Sequence, residues 1–436
     1  MRSPAAHPLA RPLSRLDAVK ILVLGSGARE HAIIAALARE EQEHVLLAAP
    51  GNAGIAAQAT LVALDANDPV AVTEYALAED VELVVIGPEA PLIAGVADEL
   101  RERGIAVFGP GRAAAQLEGS KAFAKHIMDV AGVPTGAATQ AATLDAAIAA
   151  IDEIGAPYVV KADGLAAGKG VIVTEDRDAA IEHARYWLTH GEGGVLVEEF
   201  LAGQEVSLFL LSDGSHVLPL QPAQDFKRAL DGDQGPNTGG MGSYSPLHWL
   251  PEGFVDEVIE TVGLPTVRAL AAQGTPFIGL LYCGLIVTDK GIRVIEFNAR
   301  FGDPETQIVL PRLVTPLSGL LFAAATGGCA AMPRPEFSEQ AGVTVVLASE
   351  NYPEAPITGR VLGGLAEAEQ VEGVHLAHAA TKLDDEGRFV ATGGRVLSVV
   401  ALGADFAEAR ERAYEAIGRI TLEGGQFRTD IAAKAV

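Results

Sequence analysis

Val294-Ile295-Glu296-Phe297-Asn298-Ala299-Arg300-Phe301-Gly302-Asp303-Pro304-Glu305-Thr306 reads as a strand that runs into a turn. Arg293, Val294, Ile295 and Phe297 favour extended backbone, and the glycine and proline that follow favour a turn. Side chains alternate along a strand, so Glu296 and Asn298 are expected on one face. Two oxygen ligands at that spacing suit a hard cation such as Mg²⁺, which keeps some waters and takes phosphate oxygens for the rest of its shell. Arg300, at the strand end, can reach a phosphoryl group or a developing anion. The competing reading is a half-buried strand with polar residues on its wet face, and the remainder of the chain decides between the two.

Upstream, strand Tyr158-Val159-Val160-Lys161 enters Ala162-Asp163-Gly164-Leu165-Ala166-Ala167-Gly168-Lys169-Gly170, and strand Val171-Ile172-Val173 leaves it. A glycine-rich loop with a lysine at each side can cover a polyphosphate with backbone N–H groups and two ammonium groups. It is not a Walker loop: Gly164 to Lys169 is one residue short, and a strand follows instead of a helix. The plain alternative is a hairpin with solvated lysines. A strand from Val195 to Leu201, closing at Gly203-Gln204-Glu205, offers a backbone edge to adenine and a carboxylate to ribose hydroxyls. A helix from Leu117 to Val130 carries Ser120-Lys121 near its start, and a helix from Val255 to Ala272 follows the loops at 224–228 and 235–242.

The first hundred ordered residues alternate strand, glycine-containing loop and helix. Lys20–Leu24 is a continuous apolar run typical of a buried parallel strand, and Val45–Ala48, Leu83–Ile86 and Ala106–Phe108 follow at intervals. This pattern predicts a doubly wound parallel sheet with ligands at the loops leaving the strand ends. Gly25-Ser26-Gly27-Ala28-Arg29-Glu30 approaches a dinucleotide fingerprint, but Glu30 replaces the third glycine and no acid ends the second strand. NAD is therefore disfavoured, while a phosphate at the helix N-terminus remains compatible, with Arg29 and His31 nearby.

Composition narrows the classes further. The 436 residues carry 32 Lys and Arg against 57 Asp and Glu, a net charge of −25, which excludes sequence-independent binding to nucleic acid or to an anionic membrane. The two cysteines, Cys283 and Cys329, have no metal-ligand spacing, and a reducing cytoplasm fits them. No apolar run reaches the ~18 residues of a membrane span. Residues 1–19 hold three prolines and three arginines without an apolar core and are expected to be a disordered extension. Beyond Pro333-Arg334-Pro335 the chain has strands at 341–348 and 395–401 and a helix at 406–419, expected to form a third domain that caps the site.

Taken in order, the segments at 25–31, 50–54, 87–92, 116–121, 161–171, 198–201, 235–242, 296–306 and 393–396 resemble the ATP-grasp superfamily, and within it the phosphoribosylamine–glycine ligase family. The resemblance runs from Lys20 to about Ile431; it departs in the short 189–195 region and at Phe226, where a polar residue is usual. It implies an α/β chain with an N-terminal doubly wound parallel-sheet domain at 20–119, a central ATP-grasp domain at 120–332 with a mobile lid at 134–205, and a small C-terminal α+β domain at 333–436. It implies joining of glycine to 5-phospho-β-D-ribosylamine through glycyl phosphate, with ATP and Mg²⁺ or Mn²⁺, in a cytoplasmic enzyme expected to be a monomer. The catalytic residues so implied are Arg300, Lys161 and Asp303, and the metal ligands are Glu296 and Asn298. ATP is assigned to Lys121, Lys161, Gly168, Lys169, Gly170, Glu198, Glu199, Leu201 and Glu205. Phosphoribosylamine is assigned to Gly27, Arg29, Glu30, Asn52, Gly87, Pro88 and Glu89, and glycine to Asp225, Gly302, Asp303, Pro304 and Glu305. Three other readings compete: another carboxylate–amine ligase of purine metabolism, an oxidoreductase on the N-terminal sheet, and a nucleotide-binding protein without turnover.

Overall fold

The structure is a computed structural model that describes residues 18–164, 170–191 and 193–435. The N-terminal sheet is parallel, in the order Thr60–Leu61, Val45–Pro50, Lys20–Gly25, Leu83–Ile86, Ala106–Phe108. Ile21 to Leu24 are wholly buried, as a strand covered on both faces requires. The strand order reverses between Lys20–Gly25 and Leu83–Ile86, so the loops that follow these two strands border the crevice where such sheets take ligands.

Glu30 explains the broken glycine pattern. It is the third residue of helix Ala28–Ala38, and its Oε2 accepts from the Gly27 N–H at 2.6 Å. A Cβ on Gly25, Gly27 or Gly87 would overlap that carboxylate. The three glycines therefore make room for a capping acid where a dinucleotide fold would admit a pyrophosphate.

A four-stranded antiparallel sheet follows, ordered Ala138–Ala141, Val195–Glu198, Tyr158–Ala162, Val171–Thr174. Helices Leu144–Ile154 and Arg177–His190 pack on it and enclose a hydrophobic core of their own, separate from the rest of the molecule. The next sheet, Val217–Pro219, Gln204–Asp213, Ile278–Thr288, Gly291–Asn298, carries the strand quoted first. The last sheet orders Gln224–Asp225, Gly242–Ser245, Ala341–Ala348, Arg395–Gly403 and Val374–His378, with helix Phe406–Arg419 against it. It draws two strands from 224–245, so it crosses the boundary expected at Pro333.

Two helices differ from expectation. The one read as continuous from Leu117 to Val130 is split into Arg112–Gly119 and Lys121–Ala131, because Ser120 is extended and caps the second helix by accepting from the Phe123 N–H. The one read from Val255 to Ala272 contains a π turn at Ile259–Gly263. Pro265, just beyond it, has no N–H to continue the α ladder. Among the described residues, no helix is long and apolar enough to cross a membrane.

The first and last sheets meet at two buried histidines. The His378 N–H donates to His31 Nδ1 at 2.8 Å, and Asn52 Nδ2 donates to the His378 carbonyl at 2.8 Å. Burial pushes the His31 imidazole down to about 3 and that of His378 down to about 4. Both are neutral in the fold and take protons on unfolding, so their contribution is complete above pH 6.5 and is lost as pH falls toward 4. Lowering the pH from 7 to 5 is expected to cost on the order of 1–2 kcal/mol per histidine in denaturant titrations. A flat profile over that range contradicts this. Gly87→Ala, which pushes Glu30 off its cap, is expected to cost about 2–3 kcal/mol in the same assay; an unchanged midpoint means that Glu30 has room to move.

Candidate active site

The four sheets surround a cavity of about 840 Å³. Its floor is the end of strand Gly291–Asn298, where period-two alternation does not hold. Gly284 pairs with Glu296, but the neighbouring Leu285 pairs with Val294, which leaves Ile295 as the extra residue of a bulge. Val294 and Phe297 are both core residues, while Glu296 and Asn298 both line the cavity. The expected same-face pair is present, and the bulge resets the phase that would otherwise have put Glu296 on the face of Val294. Among the described residues no cluster of three or more His, Cys, Asp or Glu could hold a metal. Glu296 and Asn298 offer two oxygen donors, a set that fits a hard cation sharing its shell with phosphate.

Beside this floor sit three lysines. Lys161 Nζ meets Glu198 Oε2 at 2.9 Å and the Ile295 carbonyl at 3.3 Å. Lys125 Nζ meets the same Glu198 oxygen at 3.4 Å and donates to Thr135 Oγ1 at 2.9 Å. Burial pushes the Lys125 ammonium down, with Glu198 opposing. The side chain of Glu198 therefore joins two of the lysines. Lys121 Nζ donates to the Gly164 carbonyl at 3.2 Å, and its backbone N–H donates to Asp163 Oδ1 at 2.7 Å. The carboxylate of Asp163 thus pins the start of the glycine loop to a helix N-terminus. Gly170 lines the cavity; Gly168 and Lys169 lie outside the described residues.

Arg300 lies between two acids, with its Nη2 2.8 Å from Glu118 Oε1 and its Nε 3.5 Å from Glu89 Oε2. Burial opposes its charge, but Glu118 and then Glu89 outweigh burial and push its pKa up. Arg29 reaches the Phe301 carbonyl at 3.1 Å and Glu30 at 2.6 Å. On the far wall Glu305 Oε1 accepts from Ser207 Oγ at 2.9 Å and from the Tyr282 hydroxyl at 2.8 Å. Lys227 bridges Asp225 at 3.0 Å and Glu205 at 2.5 Å. Burial pushes the Asp225 carboxyl up while Lys227 pulls it down. The last sheet contributes Arg395, whose Nη1 contacts Asp303 Oδ1 at 3.2 Å and donates to the Gly239 carbonyl at 2.6 Å. Tyr352 accepts from the Gly239 N–H at 3.0 Å.

Arg29, Glu89, Lys121, Lys161, Gly170, Glu198, Asp225, Glu296, Asn298, Arg300, Gly302, Asp303 and Glu305 line one cavity. Gly27, Glu30, Asn52, Gly87, Pro88, Glu199, Leu201, Glu205 and Pro304 stand back from it. Asn52 is occupied by protein groups: its Nδ2 donates to two carbonyls and its Oδ1 accepts from the Gly54 and Ile55 N–H groups. Pro304 packs where a Cβ on Gly240 would fall. Phe226 faces Tyr244 and lies under the Arg428 guanidinium, 5.0 Å from its ring centre, so a cation covers the ring that replaces the usual polar residue.

Sequence reasoning gave no role to Lys125, Glu118, Lys227, Arg395 or Tyr352. Lys125 had a signal, since it stands four residues after Lys121 on one helix face. Arg395 lay in the 393–396 segment that carries the resemblance but was given no role, and Tyr352, more than a hundred residues from the Gly239 it meets, had no signal.

Family models match all three parts of the chain: the N domain of phosphoribosylglycinamide synthetase at 19–118, its ATP-grasp (A) domain at 119–306 and its C domain at 342–434. A phosphoribosylamine–glycine ligase from Leifsonia xyli is 72% identical over 419 residues, covering 96% of this chain and 100% of that protein. Its counterpart in Streptomyces coelicolor is 58% identical over 96% of this chain and 99% of its own length. Among solved structures, the phosphoribosylamine–glycine ligase of Thermotoga maritima superposes with a TM-score of 0.81 at 34% identity, over 94% of this chain and 100% of that one. The biotin carboxylase domain of a Hydrogenobacter thermophilus 2-oxoglutarate carboxylase, in complex with MgADP and bicarbonate, shares the fold at a TM-score of 0.68 and 18% identity, over 95% of this chain and 92% of that one. The activity is ATP-dependent ligation of glycine to phosphoribosylamine in purine biosynthesis, and the chain belongs to the phosphoribosylamine–glycine ligase family.

Proposed function

We propose that the cavity activates glycine as glycyl phosphate and passes the acyl group to the amine of 5-phosphoribosylamine before water can reach it. The observation that carries this reading is the meeting of Glu296 and Asn298, the three lysines and Arg300 in one cavity of a strongly acidic chain. A carboxylate is a poor acyl donor because oxide is a poor leaving group, and phosphorylation supplies a good one. Lys121, Lys125 and Lys161 hold the phosphates of ATP, with Glu198 aligning two of the ammonium groups. Gly168, Lys169 and Gly170 belong to the same loop in this reading, and the strand exit at Glu199 and Leu201 takes the adenine side. Glu205 orients Lys227.

Glu296 and Asn298 would hold Mg²⁺ or Mn²⁺, which when bound neutralises phosphate charge. Arg300 stabilises the acyl phosphate and the oxyanion formed when the amine attacks. Asp225 and Glu305 form an anionic wall for the glycine ammonium, beside Gly302. Asp303, paired with Arg395, holds the 237–240 loop over the site. Arg29 and Glu89 face the ribosylamine side, while Gly27, Glu30, Asn52, Gly87 and Pro88 shape the loops that carry them. The 134–205 unit, with its own core, is the lid that excludes water. The enzyme works as a cytoplasmic monomer in this reading; both cysteines are free and buried, and one chain builds the whole cavity.

The test is ADP release by Glu296→Gln. Turnover is expected to fall about 100-fold or more with the fold retained, since the substitution removes charge from a half-buried cavity wall without changing its shape. Wild-type rates at ordinary Mg²⁺ would remove Glu296 from the ligand set.

A further inference from the structure

Glu118 has no role in the account so far, yet its carboxylate makes two contacts that both bear on Arg300. It stands in the last turn of helix Arg112–Gly119, which closes the N-terminal part of the chain. Its Oε2 accepts from the Ala299 backbone N–H at 2.7 Å, and its Oε1 sits 2.8 Å from Arg300 Nη2. One carboxylate therefore fixes the backbone just before Arg300 and the plane of its guanidinium.

Arg300 also lines the cavity. Among the described residues its remaining hydrogen bond runs from Nη1 to the Phe301 carbonyl at 3.2 Å. Nε is buried and has no hydrogen-bond partner; its approach to Glu89 is long at 3.5 Å. A buried, unpartnered N–H on a cation is a costly feature, and its nearest acceptor is the Glu89 carboxylate, so a second carboxylate is needed to fix the guanidinium. Stability is a weak reason for the pair itself, since two charges taken out of water recover little net free energy from each other. The Glu118 side chain is only 7% exposed, so it is paired to Arg300 at full desolvation cost.

We propose that Glu118 is a positioning residue for the ligation: it holds the cavity-lining guanidinium of Arg300 in place for the transferring phosphoryl and acyl oxygens. It also couples the N-terminal sheet, on the ribosylamine side, to the strand end on the phosphate side. The inference rests on the role given to Arg300 above, and the test separates the two.

The experiment measures kcat, KM for ATP and for glycine, and Tm for Glu118→Gln, Arg300→Met and the double variant. Gln keeps the size and an acceptor for the Ala299 N–H but loses the charge on Arg300. Glu118→Gln is expected to lower kcat about 10- to 100-fold while both KM values stay within about 3-fold. In the Arg300→Met background the same change is expected to cost less than about 3-fold, because no guanidinium is left to hold. An unchanged kcat, or an equal loss in both backgrounds, overturns the proposal. So does a Tm drop large enough to account for the lost activity, which makes Glu118 structural. Full activity in Arg300→Met instead removes the role of Arg300.

Discussion

One strand has to satisfy two environments within five residues. Val294 and Phe297 must enter the core, and Glu296 and Asn298 must face solvent and ligand. A period of two cannot place Val294 and Phe297 on one face and Glu296 and Asn298 on the other. The single extra residue at Ile295 resolves the conflict, at the loss of one ladder position. Its carbonyl, released from the ladder, receives the Lys161 ammonium. The bulge therefore sets Glu296, Asn298 and the nearest lysine in the cavity, and the positions of Arg300 and the 302–305 turn follow from where that strand ends.

The site is also an electrostatic exception. A chain of net charge −25 repels phosphates at long range, and binding must come from local arrangement. Five cations of the cavity are held by carboxylates: Lys161 and Lys125 by Glu198, Lys227 by Asp225 and Glu205, Arg395 by Asp303, Arg300 by Glu118. Such pairs give little net stability. They keep long side chains ordered, so that less rotamer freedom remains to be lost when an anionic substrate binds.

Much of this was legible in the chain. The buried parallel strands and the Glu296–Asn298–Arg300 spacing are local patterns, and each appears where the residues put it. What stayed hidden depends on distant pairing. Glu198, assigned to ATP by resemblance, lines the cavity, and its side chain also pairs two lysines from other elements, which no local pattern announces. Asn52 and Glu30, assigned to phosphoribosylamine by resemblance, also hydrogen-bond within the protein, and one of the Asn52 contacts is to His378, distant in sequence. The bulge was invisible because nothing in Val294-Ile295-Glu296 requires one until Phe297 and Val294 are both seen in the core.

The central claim is that the carboxylate of glycine is activated by phosphorylation. It is tested most directly by running the reaction with glycine carrying ¹⁸O in its carboxylate and following the label. The account predicts one labelled oxygen in inorganic phosphate, formed together with ADP. Label in AMP, with release of pyrophosphate, would contradict it, as would ADP formed with unlabelled phosphate.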